Sequence, residues 1–170
     1  MDYLRVVRQL GIGAGLIAHI NKSDSGDQAP FGSRFWHNSA RSTWFLKRAA
    51  ASQDGQTISL AAFHRKANLG RLRPAVGIEA RFDEAANRVR FVRVDAADIE
   101  EVAGSLPLWQ RLRHALKSQP KTIAELADEL ESKPDTVKKA LTRDKGKAFT
   151  LLTNTDDGVQ RWGLLDRRAA

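Results

Sequence analysis

The feature that most constrains the fold is a succession of helix start and stop signals between residues 107 and 143. Apolar residues at helical spacing predict a first helix from Leu108 to Lys117. Thr122, with Glu125 three residues later, has the pattern of a capping box, so a second helix is expected to begin there. The segment from Ser132 to Asp135 predicts a turn into a third helix that extends to about Arg143. Three short helices joined by tight turns are therefore expected.

Two stretches of strand-forming residues come after the third predicted helix. They run from Ala148 to Thr153 and from Val159 to Leu165, and they flank a turn from Asn154 to Gly158. Three helices followed by a hairpin, in this order, are typical of a winged helix-turn-helix. The apolar residues expected to form its core are Leu112, Leu116, Ile123, Leu126, Leu130, Val137, Leu141, Leu151, Trp162 and Leu164.

The exposed face expected for the third helix suits contact with DNA. In a winged helix-turn-helix this helix enters the major groove, where its polar side chains meet bases and phosphates. Val137, Ala140 and Leu141 can turn inward, which leaves a polar and basic outer face. Winged helices also serve as protein-protein modules, so an interaction role is an open alternative. The residues predicted to bind DNA from this part of the chain are Thr136, Lys138, Lys139, Thr142, Arg143, Lys147 and Arg161.

The region before residue 96 predicts a different architecture, in which strands predominate. Tyr3 to Leu10 has helical spacing, and Gly11 is a natural helix stop. The apolar run from Gly15 to Ile20 is too short for a typical helix and favours a strand buried on both faces of a parallel sheet. The polar segment from Asn21 to Gly32 is expected to form a mobile loop.

A brief helix from Phe35 to Ser42 and several strands are expected after that loop. The tight connection from Asp83 to Asn87 predicts that the last two strands form a hairpin. The ranges with strand propensity are Ser42 to Lys47, Thr57 to Phe63, Val76 to Phe82 and Arg88 to Val94. Together these patterns predict an α/β chain with three parts: a core over residues 1–95, an acidic linker or short helix over 96–106, and a winged helix-turn-helix over 107–170.

Composition and charge narrow the function classes. The chain has 170 residues and no cysteine, which excludes a disulfide scaffold, thiol catalysis and zinc fingers built on cysteine pairs. Its longest apolar run, from Gly11 to Ile20, is half of the roughly 20 residues that a membrane-spanning helix needs, so no membrane partner is expected. The N-terminus lacks the pattern of a secretory leader, and a cytoplasmic location is predicted. The 28 basic residues exceed the 20 acidic ones, and this net charge of +8 favours a polyanionic partner such as nucleic acid.

The sequence lacks the common motifs for nucleotide and metal binding. Gly11, Gly13 and Gly15 precede a predicted strand, whereas a dinucleotide fingerprint follows a strand and opens a helix. No glycine-rich loop ends in Gly-Lys-Ser or Gly-Lys-Thr, so the chain cannot form a standard P-loop by itself. The four histidines show no metal-ligand spacing, and no metal site is predicted.

The order of several segments in the first part resembles a known family. The segments are Tyr3 to Leu10, Gly15 to Lys22, Pro30 to Ser33, Asn38 to Trp44 and Lys66 to Asn68. Their order resembles the C-terminal half of RecA-like ATPases, in particular the hexameric replicative helicases of plasmids and phages. The resemblance covers about residues 2 to 94. It implies a partial RecA-like sheet ahead of the winged helix-turn-helix.

The resemblance also implies roles for individual residues. His19 would sense the terminal phosphate of a nucleotide at the end of its strand, and Lys22 and Arg34 would bind DNA from the loop that follows. Arg65 and Lys66 would be catalytic cations that reach the nucleotide of a neighbouring subunit and stabilise the transferred phosphoryl group. A hydrogen-bonded interior histidine is the alternative for His19. A solvated strand end is the alternative for Arg65 and Lys66.

The family's phosphate loop and magnesium-binding acid belong to a preceding half with no counterpart in this sequence. The resemblance therefore implies no cofactor bound by this chain alone, with ATP and Mg²⁺ bound only together with a complete partner chain. The chain would be a fragment, the product of an independent start, or a domain that has lost hydrolysis. The function implied is the DNA-binding portion of a helicase of DNA replication, with DNA and a homo-oligomer or full-length ATPase subunit as partners. The rival hypothesis is a winged-helix DNA-binding regulator in which residues 1–105 only self-associate.

Overall fold

The computed structural model describes residues 6, 9–11, 13–19, 38–52, 55–153 and 158–165. It shows a mixed α/β chain with a four-stranded antiparallel sheet, several helices and a separate two-stranded hairpin. The strands are β1 Ser42–Ala51, β2 Thr57–Ala67, β3 Val76–Asp83, β4 Arg88–Val94, β5 Phe149–Leu152 and β6 Arg161–Leu164. The helices whose bounds lie within the described residues are a 3-10 helix Ala96–Asp98, α1 Glu100–Ala103, α2 Leu108–Ala115, α3 Ile123–Glu129 and α4 Pro134–Arg143.

The larger sheet follows chain order, so that each strand pairs with the next one in sequence. At the turn between β1 and β2, the Ser52 amide donates to the Thr57 carbonyl at 2.9 Å. Strands β3 and β4 are antiparallel, and their connection is the predicted tight turn, in which Asp83 accepts the Ala86 amide at 3.0 Å. The prediction of this hairpin is confirmed. Short connections suffice to pair these strands, because antiparallel neighbours need no crossover.

The prediction of a buried strand from Gly15 to Ile20 in a parallel sheet was wrong. Residues 15–19, the described part of that range, have no regular secondary structure and are exposed. The sheet is antiparallel, and among the described residues this apolar run has no strand to pair with. Apolar content alone therefore did not make a strand, because a strand also needs a neighbour for its backbone groups.

The other predictions for the N-terminal region are tested only where residues are described. Val6 and Gln9 are helical, and the Leu10 amide donates to the Val6 carbonyl at 3.1 Å. Gly11 has a φ of 64°, the left-handed conformation expected of a helix-ending glycine. Asn38 and Ser39 are helical within the brief helix predicted from Phe35 to Ser42. The loop predicted from Asn21 to Gly32 lies outside the described residues.

Contacts divide the chain into two compact units. Unit 1 comprises residues 1–46 and 62–74, and unit 2 comprises residues 47–61 and 75–170. The three-part division of the chain made from the sequence stays a prediction.

In unit 2, the segment 96–106 is packed and contributes to the core. Ile99, Val102 and Leu106 are buried there. The Lys47 ammonium donates to the Glu101 carbonyl at 2.7 Å, which ties strand β1 to α1. These contacts hold the sheet residues of unit 2 to the helical segment that follows them.

A second tie within unit 2 connects the start of β3 to helix α2. The side chain of Gln110 is buried and forms two hydrogen bonds with the backbone of Ala75. Its amide oxygen accepts the Ala75 amide at 3.1 Å, and its amide nitrogen donates to the Ala75 carbonyl at 2.9 Å. A buried glutamine whose donor and acceptor are both used in this way avoids the cost of an unpaired polar group.

Helices α2 to α4 and the β5–β6 hairpin enclose one apolar cluster. All ten core residues predicted from the sequence belong to it or pack against it, with Ile123, Leu151 and Leu164 partly buried. Phe149 is fully buried at the start of β5 and was missing from the predicted core. The residues of the buried cluster are Leu112, Ala115, Leu116, Leu126, Ala127, Leu130, Val137, Ala140, Leu141, Phe149 and Trp162.

The predicted capping box at the start of α3 is confirmed. The Glu125 amide donates to the Thr122 hydroxyl at 3.2 Å, and the Thr122 amide donates to the Glu125 carboxylate at 2.7 Å. These bonds from Thr122 hold the pKa of the Glu125 carboxyl below its ordinary value. The reciprocal bonds satisfy amides that a helix start leaves without intrahelical partners.

The turn between α3 and α4 has a fixed shape. Glu131 has a φ of 48°, and the Ser132 amide donates back to the Ala127 carbonyl at 2.8 Å. The Arg111 guanidinium donates to the Leu130 carbonyl at 2.7 Å and ties the turn to helix α2. The orientation of α4 relative to α2 and α3 is therefore set by hydrogen bonds as well as by the shared core.

Candidate nucleic-acid interface

Helix α4 has one apolar side and one basic side. Pro134 stands in its first turn, where a missing amide costs nothing, and the helix continues to Arg143. Val137, Ala140 and Leu141 are buried, which is the three-and-four spacing of one helix face. The opposite side carries four exposed polar residues, which we call the basic helix face: Lys138, Lys139, Thr142 and Arg143.

Further charges adjoin the basic helix face. Lys145 and Lys147 are exposed in the turn between α4 and β5. Arg143 also donates to the neighbouring Asp144 carboxylate, with N···O distances of 3.1 and 3.3 Å. Asp135 is exposed in the first turn of α4, where its negative charge interacts favourably with the positive end of the helix dipole. Lysine therefore provides most of the uncompensated positive charge in this region.

The β5–β6 hairpin is anchored to the same core. Its antiparallel register runs from Phe149 opposite Leu164 to Leu152 opposite Arg161. Trp162 is buried, and its backbone exchanges two hydrogen bonds with Lys121, at 2.7 and 2.9 Å. These bonds fix the base of the hairpin to the start of α3.

The predicted DNA-binding residues of unit 2 occupy different environments. Thr136, Lys138, Lys139, Thr142, Arg143 and Lys147 are exposed. Arg161 is half-buried, and its charge contributes, after the stronger effect of the Thr122 bonds, to the lowered pKa of Glu125. Arg161 is thus already close to a carboxylate of the same module.

The residues assigned roles by the RecA-like resemblance belong to unit 1. His19 is exposed in the irregular segment 13–19, so it does not end a buried strand. The Arg65 guanidinium lies over two phenylalanine rings of its own unit, 5.6 Å from the centre of Phe45 and 5.4 Å from that of Phe63. The Lys66 ammonium donates to the Asn38 carbonyl at 3.0 Å. Lys22 and Arg34 lie outside the described residues, and all of these roles stay predictions.

A side-chain cluster around His64 in unit 1 was not predicted from the sequence. Its ring stacks on Trp44, with ring centres 4.3 Å apart and an interplanar angle of 4°. Its Nε2 lies 3.0 Å from the Ser42 hydroxyl, and its Nδ1 accepts the Arg73 amide at 2.9 Å. The predicted strand ended at Phe63, whereas β2 continues to Ala67 and includes His64. The sequence signal for this cluster was that polar Ser42 and aromatic Trp44 stand two residues apart in a predicted strand.

The Ser42–His64 pair is not arranged for nucleophilic catalysis. An amide can only donate, so the Nδ1 that accepts the Arg73 amide carries no proton. In a neutral ring the proton is then on Nε2, which donates to the Ser42 hydroxyl. A general base must instead accept the serine proton. The contact therefore fixes the ring in place and does not activate Ser42.

The described part of the chain has neither a cluster of metal ligands nor a membrane-spanning helix. Within those ranges, no three His, Asp or Glu side chains come together as metal ligands could. None of the helices described has the length and apolar character needed to cross a membrane.

The chain matches no protein-family model, no curated protein and no solved structure with which it was compared. Its function must therefore be inferred from the geometry of its own residues.

Proposed function

We propose that the chain binds duplex DNA through a winged helix-turn-helix formed by helices α2 to α4 and the β5–β6 hairpin. In this proposal α4 lies in the major groove, and the hairpin is the wing beside the DNA backbone. The order of three helices and a hairpin around one core supports it. A compact module of this kind presents α4 on its surface with one side buried and one side available.

The observation that carries the proposal is the two-sidedness of α4. Val137 and Leu141 are fully buried, while Lys138, Lys139 and Thr142 are exposed between and beyond them. The helix has ten residues and is therefore about 15 Å long. A major groove about 12 Å wide admits a helix of this kind.

The charges expected to meet the phosphates belong mainly to lysines. Lys138 and Lys139 are on the basic helix face, and Lys145 and Lys147 continue it toward the hairpin. Each lysine that neutralises a phosphate releases condensed counterions, so the affinity should fall steeply as salt rises. Thr142 adds a hydroxyl that can donate to or accept from a base edge.

The direct test replaces two lysines of the basic helix face. For duplex DNA, the double variant Lys138→Ala/Lys139→Ala should bind about tenfold or more weakly at moderate salt. The slope of log affinity against log salt should become less steep by about 2, since each phosphate contact contributes about 0.9. Fluorescence anisotropy of a labelled duplex across a salt series measures both quantities.

The matched control is Arg90→Ala/Arg93→Ala, which removes the same charge from exposed positions of β4. The control should lose less affinity than the α4 variant. Equal losses in the two variants would show that only net charge matters, and an unchanged slope in the α4 variant would exclude α4 as the contact surface. Far-UV circular dichroism of both variants confirms that they remain folded.

The RecA-like function implied by the sequence resemblance stays a prediction, as do its ATP and Mg²⁺ cofactors and its oligomeric partners. The described residues add no support for it, because the segment that carries His19 is exposed and irregular. The DNA-binding module stands without it, since α2 to α4 and the hairpin form their own core.

A further inference from the structure

The described part of unit 1 has an unusual charge balance. Its residues, 6, 9–11, 13–19, 38–46 and 62–74, include no aspartate or glutamate. A surface of this kind attracts polyanions, and the same attraction is weaker where acids are interspersed. The basic residues of these ranges are Arg41, Arg65, Lys66, Arg71 and Arg73.

Two aromatic rings lie stacked within this basic environment. The Trp44 and His64 rings are almost parallel, with centres 4.3 Å apart. Trp44 is 44% exposed, so part of its indole is available to another planar group. Exposed tryptophan is the aromatic side chain with the largest surface for stacking.

The His64 ring of this stack is held by hydrogen bonds at both of its nitrogens. Nδ1 of His64 accepts the Arg73 amide, and Nε2 donates to the Ser42 hydroxyl. A ring fixed in this way supports Trp44 in one orientation and loses little freedom when a ligand stacks on it. We call Trp44 and His64 together the aromatic platform.

Basic residues are adjacent to the atoms that hold the aromatic platform. Arg73 supplies the amide bound to His64, and Arg71 is two residues before it. Arg41 precedes Ser42, and its carbonyl accepts the Asn68 amide at 2.9 Å. Three arginines are therefore on backbone segments that border the platform.

From this juxtaposition we infer that unit 1 binds single-stranded nucleic acid, with a base stacked on Trp44 and backbone phosphates bound by Arg41, Arg71 and Arg73. Proteins that bind single strands combine aromatic stacking with a positively charged surface in this manner. A base in a duplex is stacked between its neighbours and cannot offer its face to a side chain. The surface is therefore suited to unpaired bases, and it is separate in residues from the basic helix face on α4.

The first arm of the test measures stacking. Labelled oligo(dT) and oligo(rU) of about 12 nucleotides, within the range of single-strand site sizes, are titrated with the full chain. Trp44→Ala should weaken binding about tenfold, and Trp44→Phe should restore most of the loss, because stacking is lost only in the first variant. The control Phe91→Ala removes an aromatic residue that is 71% exposed on β4 and should leave the affinity unchanged. The relative affinities of the two oligonucleotides distinguish DNA from RNA as the ligand.

The second arm measures phosphate contacts and does not depend on Trp44. Arg71→Gln/Arg73→Gln should make the salt slope for oligo(dT) less steep by about 1.4, since each contact to a single strand contributes about 0.7. The bond to His64 is kept, because it comes from the backbone amide of residue 73. Arg90→Gln/Arg93→Gln on β4 is the matched control and should preserve the slope.

The outcomes separate this proposal from duplex binding by α4. The Lys138→Ala/Lys139→Ala variant should keep its affinity for oligo(dT), and Trp44→Ala should keep its affinity for duplex DNA. Unit 1 is excluded as a single-strand site if neither oligonucleotide binds, or if Trp44→Ala loses no more affinity than Phe91→Ala. If Trp44→Ala does not fold by circular dichroism, the arginine pair decides, and an unchanged slope there overturns the inference.

Discussion

At the scale of single residues, Gly77 is a position at which the neighbouring atoms leave no room for a side chain. A Cβ built on it would lie 2.8 Å from Val94 Cγ2, 2.9 Å from the Val94 carbonyl oxygen and 3.0 Å from the Ala96 nitrogen. Two of these atoms are backbone and cannot rotate away. Glycine at this position therefore permits the close approach of β3 to the end of β4 and the 3-10 helix.

Gly77→Ala should lower the free energy of unfolding by about 1–3 kcal/mol, the usual cost of overpacking. Gly104→Ala is the matched control, because no atom from another part of the fold lies within 4 Å of its Cβ position and its φ is −64°. The control should be neutral or slightly stabilising. Urea unfolding of the two variants measures the difference. A Gly77→Ala protein as stable as the control would show that β3 and β4 do not approach as closely as described.

Asp95 gives the stability of the protein a defined dependence on pH. Burial acts to raise the pKa of Asp95, but the hydrogen bond from Lys117, the bond from the Ala97 amide and the charges of Lys117 and His114 outweigh it. The pKa of Asp95 is therefore below its ordinary value. A carboxylate with a lowered folded-state pKa stabilises the fold above its ordinary pKa, and this contribution disappears as pH falls through the lowered pKa.

Asp95→Asn should therefore destabilise the protein at neutral pH and much less in acid. The difference should be below about 1 kcal/mol, because the ion pair with Lys117 is partly exposed and solvent screens it. It should shrink as pH falls below about 4, the ordinary range for an aspartate. Thermal unfolding across a pH series measures it, with the exposed Asp128→Asn as control. A difference that is constant from neutral to acid pH would contradict the assignment.

At the scale of secondary-structure elements, local signals predicted the helices after residue 107. The Thr122 cap and Pro134 specify helix starts through bonds and φ preferences that act within one turn, so no distant contact is needed to recognise them. The Asp83 turn is equally local, and the β3–β4 hairpin was predicted with it. Elements whose ends are defined by nearby residues were thus predictable.

Elements that depend on distant partners were predicted less well. The run Gly15 to Ile20 has the composition of a strand, but composition does not reveal whether a neighbouring strand exists. Strand β2 was expected to end at Phe63, but it extends to Ala67. Directly after it, the Asn68 amide donates a hydrogen bond to the Arg41 carbonyl. The aromatic platform joins residues of two strands, so Ser42 and Trp44 on β1 did not by themselves indicate the partner His64 on β2.

At the scale of the whole molecule, the described residues of each unit include a basic surface, and the two surfaces differ in chemistry. In unit 2, the basic helix face combines lysines with a rigid, packed helix, as expected for reading a duplex groove. In unit 1, arginines accompany a stacked tryptophan and histidine, as expected for unpaired bases. The net charge of +8 therefore supports two separate proposals, duplex binding by unit 2 and single-strand binding by unit 1. Each proposal is tested by its own substitutions.

The most direct test of duplex binding is to map backbone amide chemical-shift changes when a short duplex is added to the full chain. The largest changes should occur on helix α4 and on the β5–β6 hairpin, and they should diminish as salt rises. Amides of the β3–β4 hairpin should change little. Changes centred on β3 and β4, with α4 unaffected at low salt, would contradict the account.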